Sequence, residues 1–154
     1  MYSALLFAHS LFRWLVLVSL LYATVRGYQG YASGSAFTKR DDSVRHWTAT
    51  IAHIQLLLGF TLYFQSPVVK AFFASVGESI RHLNTAFFGV VHIGLMFVSI
   101  VVITIGSALA KRKSTDREKF KTMGIWFSVA LLLIFLAIPW PFSPLANRPY
   151  FRAY

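Results

Sequence analysis

Residues 86–109 read AFFGVVHIGLMFVSIVVITIGSAL, twenty-four positions without one charged side chain. A helix needs ~20 mostly apolar residues to cross the hydrocarbon core of a bilayer. In lipid, backbone groups must be satisfied within the segment or within a closed barrel. The length and continuous apolarity of this run favour a helix. Its neighbours repeat the pattern: 3–25, 47–64 and 123–140 are also long and apolar. The reading is an all-α membrane protein of four transmembrane helices, one integral-membrane domain over 1–154.

Composition agrees. Of 154 residues, 56% are hydrophobic and 13% charged, about half the ~25% charged content of a soluble domain. Fifteen basic residues face five acidic ones, a balance that could suit nucleic acid. The basic residues instead fill gaps between apolar runs, so topology and the lipid bilayer explain them, and no nucleic acid is expected. Arg26, Lys39, Arg40, Arg45, Lys111, Arg112, Lys113, Arg117, Lys119 and Lys121 fall in two of the connections. By the positive-inside rule these two connections are cytoplasmic, the bundle runs up-down-up-down, and both termini lie on the outer side. The expected location is a bacterial inner (cytoplasmic) membrane. Trp47, Tyr63, Trp140 and Tyr150 suit aromatic belts at the interfaces.

Local signals punctuate the spans. Pro67 ends the second, and the prolines of IPWPFSP (138–144) end the fourth. Gly27, Gly30 and Gly34 read as breaks in the first connection, and KRDDSVRHW (39–47) as a solvated loop with local ion pairing. KRKSTDREKFK (111–121) could attract anionic lipid, although topology already accounts for it. A short amphipathic helix is expected between 66 and 85.

Several chemistries are excluded. Without cysteine there is no disulfide, thiolate site or thiol catalysis. No acidic residue falls inside a span, which removes carboxylate proton relays and argues against solute or proton transport. No constellation supports independent catalysis, so any oxidoreductase activity would need a partner subunit. What remains is a set of buried polar residues: His9, Arg13, His53, Gln55 and His92, with His46 and His82 nearer the interfaces. Ionisable groups at such depth are functional candidates by default.

His9 and His92 each lie six residues into spans that run inward, ~9 Å down at the helical rise. Helical side chains lean towards the amino terminus, so both rings lean outward, and His53 on the opposing span leans the other way. Two neutral imidazoles at one depth can hold a haem iron, and Met96 is either an alternative ligand or packing against the ring. Gly89, His92, Met96 and Ser99 share a face that gives a flat group room, although such faces more often serve tight helix packing. Arg13 follows His9 by one turn and suits a haem propionate; Arg81 and His82 could hold the second. The simpler alternative is that each buried group bonds a neighbouring helix.

AHSLFRWLVL (8–17), AHIQLLLGFTLYF (52–64), the histidine early in the third span and IPWPF (138–142) together resemble a group of small four-span bacterial membrane proteins commonly labelled cytochrome B. That resemblance spans nearly the whole chain and implies a haem-b role, with His9, His53 and His92 as candidate ligands. The leading expectation is a haem-b electron-transfer subunit with bis-histidine ligation by His9 and His92 (His53 the alternative), linked to quinol oxidation in a larger membrane complex. The other is a cofactor-free accessory subunit stabilising a respiratory or other membrane complex.

Overall fold

The computed structural model describes residues 1–146 and 148–150, and every regular element among them is helical. Helix α1 spans Tyr2–Ser33 and α2 spans Lys39–Gln65; α3 (Pro67–Ala74), α4 (Val76–Ser79) and α5 (Leu83–Ala86) are short. A π-helical turn, Phe87–Val91, leads into α6 (His92–Arg112), and α7 is Asp116–Ala137. Four helical stretches are long and apolar enough to cross a membrane: α1, α2, the continuous run Leu83–Arg112, and α7.

The helices overrun the apolar spans. At 32 residues, α1 is about 48 Å long, well beyond a ~30 Å hydrocarbon core. Gly27 and Gly30 therefore do not break a connection: they lie buried inside α1. A Cβ on Gly27 would come within 2.8 Å of the Gly124 backbone, and one on Gly30 within 2.5 Å of the Phe120 ring. These glycines let α1 and α7 approach closely, and that packing overrides their weak helix propensity. Only Gly34 ends the helix, with φ at 63°, the left-handed conformation that glycine adopts without a Cβ penalty.

The stretch 39–47 is likewise no loop but the first turns of α2. Thr38 and Asp41 form a reciprocal capping box, which satisfies two amide groups the helix end would otherwise strand. Asp41 is buried and accepts from Arg26 Nε at 2.7 Å. Arg45 is buried too, and its Nη1 donates to Ser107 Oγ at 2.6 Å and to the Ser107 carbonyl at 3.2 Å. Burial of these charges is tolerated because each is paired and hydrogen-bonded.

The four long helices close a ring of contacts. Helix α1 packs on α2 and α7, and α6 packs on the same two, so α1 and α6 face each other across the bundle. Between α1 and α2, Thr48 Oγ1 donates to the Ser19 carbonyl and Gln55 Nε2 to the His9 carbonyl. Between α2 and α6 the links are Arg45 with Ser107 and His53 with Thr104. Leu20, Ile103, Met123 and Phe127 fill the core.

The expected short helix after the second span is α3. Ser66 caps it and Pro67 occupies its first turn, a position where proline's missing N–H costs nothing. Phe72 of α3 is buried against Gly89, where a Cβ would come within 2.5 Å of its ring. The small-residue face of α6 is thus spent largely on packing: Gly89 on Phe72, and Gly106 on Trp126. At the far end α7 stops at Ala137, three residues short of the expected Trp140, because Pro139 cannot continue the ladder. A non-helical strap follows over 138–146 and 148–150 and turns back, with Arg148 N–H donating to the Pro139 carbonyl at 3.1 Å.

Candidate functional site

The π-helical turn immediately precedes His92. It widens the helix locally and re-aims the side chains beyond it, and such turns recur at functional sites. Tyr63 of α2 steadies it, its hydroxyl donating to the Gly89 carbonyl at 2.6 Å. Phe87 and Phe88 flank His92, with ring centroids 5.6 and 6.1 Å away.

His92 is tied to the end of α7. The last carbonyls of a helix have no partner within it, and the Ala137 carbonyl lies 2.8 Å from His92 Nδ1. A carbonyl only accepts, so Nδ1 carries the proton and Nε2 keeps its lone pair. Metal-bound histidines are oriented in this way, by a backbone acceptor on the nitrogen that is not the ligand. The IPWPF segment has a local function here: by ending α7 it frees the carbonyl that fixes the imidazole.

His9 meets His92 from across the bundle. The two ring centroids are 6.5 Å apart and the planes 71° inclined. Gly59 of α2 makes room for the first ring, since a Cβ there would lie 3.3 Å from His9 Cε1. His9 Nδ1 is buried with no hydrogen-bond partner among the described residues. Two imidazoles on opposite sides of one metal ion, each bonded at about 2 Å, have centroids about 6 Å apart, so the spacing suits that arrangement.

Both rings line one cavity of about 250 Å³, together with Arg13, Gln55, Met96 and Arg148. That lies just below the ~300–1,000 Å³ range of small-molecule sites. Its wall carries two further stranded atoms, Arg13 Nε and Gln55 Oε1. Arg13 reaches along the bundle until its Nη2 donates to the backbone carbonyl of Tyr150 in the strap. Met96 lies on the wall one turn beyond His92, and Trp14 packs edge-on to Trp140 at 6.0 Å.

The remaining candidates fall elsewhere. His53 is exposed and away from the cavity; its Nδ1 lies 2.7 Å from the Ala49 carbonyl and its Nε2 3.1 Å from Thr104 Oγ1. Arg81 and His82 are exposed in the α4–α5 connection, and neither lines the cavity. Arg148 lines it instead, its guanidinium 4.8 Å from the Phe88 ring and its Nη2 3.2 Å from Asn84 Oδ1. Nothing in the sequence of a proline-rich tail announces that Arg148 folds back.

Among the described residues, no group of three or more His, Asp or Glu side chains could hold a metal ion. Protein-built zinc sites use three or four such ligands. A pair of imidazoles suits instead a metal that brings its own equatorial ring, as haem iron does. Comparison with protein families, curated proteins and solved structures finds no match.

Proposed function

We propose that this chain is a haem-b-binding, multi-pass membrane subunit for electron transfer, with His9 and His92 holding the iron. The observation that carries the reading is the approach of these imidazoles across one cavity, with centroids 6.5 Å apart. The second support is the Ala137 carbonyl on His92 Nδ1, which leaves the other nitrogen for ligation. The buried, unpartnered Nδ1 of His9 and the glycine beside that ring fit a group inserted between the helices. When bound, haem supplies reversible one-electron exchange.

The chain's residues do the rest. Phe88, Met96 and the apolar wall exclude water, and Arg13 offers a guanidinium to a carboxylate of the cofactor. In this reading the bundle runs up-down-up-down in a bacterial cytoplasmic membrane, with the basic connections inside and both termini outside. The opposed order of residues in the α1–α2 and α2–α6 contacts, Ser19 on Thr48 with His9 on Gln55, and Ser107 on Arg45 with Thr104 on His53, supports that topology. A quinol is the proposed electron source, within a larger membrane complex.

The test is a reduced-minus-oxidised visible spectrum of protein purified after expression with haem supplied. A b-type α-band is expected in the native chain and in His53→Ala, and its loss in His9→Ala and His92→Ala. A folded, colourless native protein would refute the proposal and favour a cofactor-free accessory subunit.

A further inference from the structure

The cavity wall bears two guanidinium groups, those of Arg13 and Arg148, and no carboxylate among the described residues. The chain has only five acidic residues: Asp41, Asp42, Glu78, Asp116 and Glu118, and none lines this space. Arg13 is incompletely satisfied: its Nη2 reaches the neutral Tyr150 carbonyl, while its Nε is buried without a hydrogen-bond partner among the described residues. A cation in such surroundings is costly unless an anion joins it. Arg148 arrives independently, on a strap closed by its own N–H on the Pro139 carbonyl. Phe88 and Asn84 hold its guanidinium in place at the wall.

Building on the haem reading, we propose that Arg13 and Arg148 form a paired anion clamp that selects a ligand carrying two carboxylates. Arg148 thereby takes the role that sequence position suggested for Arg81 and His82. Such a clamp would favour one orientation of the ligand, with Arg13 and Arg148 holding its carboxylates. A guanidinium binds carboxylate through parallel, charge-assisted hydrogen bonds, about twice as strong as those to a neutral carbonyl. A carboxylate therefore displaces the Tyr150 carbonyl from Arg13.

The experiment compares iron protoporphyrin IX with its dimethyl ester, which keeps the ring and iron but has no carboxylates. Both are titrated into the full chain, prepared without haem in detergent micelles, and binding is followed by the Soret band. The native chain is expected to bind the diacid at least about tenfold more tightly than the ester, the scale of one charge-assisted hydrogen bond. Arg148→Gln is expected to remove most of that preference while leaving ester affinity unchanged. Arg13→Gln should act likewise; if it fails to fold, Arg148→Gln still decides, because Arg148 lies outside the helices. Equal binding of the two pigments by the native chain, with a bis-histidine spectrum for both, would overturn the clamp and leave the haem reading standing. Binding of neither pigment would overturn both. A preference that survives Arg148→Gln undiminished would remove Arg148 from the site.

Discussion

At the end of the bundle where α2 begins, Arg45 and Asp41 are buried and fully engaged, and Gly27 and Gly124 bring two backbones nearly into contact. At the other end His9, Arg13 and Gln55 each leave a buried polar atom without a hydrogen-bond partner among the described residues, around an open cavity. Both ends carry arginine, yet at the cavity end Arg13 keeps a buried Nε without a hydrogen-bond partner among the described residues. Native interiors satisfy nearly all their buried polar groups, so concentration of the exceptions around one space agrees with the ligand site proposed above. At the closed end Thr24 Oγ1 is an isolated exception among the described residues, and it does not line this cavity.

The contrast is tested most sharply by making one change at both ends. Arg45→Met removes two hydrogen bonds to Ser107 from a side chain only 6% exposed and strands Ser107 Oγ. The expected cost is about 3 kcal/mol; the ion pair with half-exposed Asp42 adds little. Arg13→Met removes a cation already short of partners, and should change stability by less than about 1 kcal/mol in the ligand-free chain. Unfolding titrations in mixed micelles measure both. Equal losses would erase the distinction between the ends.

A smaller effect separates the facing glycines. A Cβ on Gly27 meets Gly124 backbone at 2.8 Å, whereas one on Gly124 meets nothing nearer than 3.5 Å. Gly27→Ala is expected to cost about 2 kcal/mol through overpacking. Gly124→Ala should be neutral or slightly stabilising, since alanine is the better helix former. The same titrations read the difference, and a reversed order would mean that α1 and α7 pack in another register.

His53→Ala should have the least effect of all. The ring is exposed and, among the described residues, bonds only α2's own backbone and Thr104, so a loss below about 1 kcal/mol is expected.

Much of the architecture was legible because hydrocarbon imposes a simple rule: the runs at 86–109 and its three neighbours stand out by apolarity alone. Their ends were not legible. Helices continue past the lipid boundary wherever capping and packing allow, as 39–47 does through Thr38 and Asp41. Gly27 and Gly30 misled because glycine marks both turns and close helix contacts, and only the opposite surface decides between them. The pairing of His9 with His92 could be reasoned from depth and side-chain lean. The Ala137 acceptor and the return of Arg148 could not, since both depend on the path of a strap that has no periodicity.

The π-helical turn at Phe87–Val91 bears on how this chain can vary. In a plain α-helix each inserted or deleted residue swings everything beyond it by about 100°. A wide turn holds one residue of slack, so lengthening or trimming the α3–α5 connection can be absorbed there while the imidazole keeps its bearing. That connection is thereby free to diverge in length without losing the histidine that comes after it.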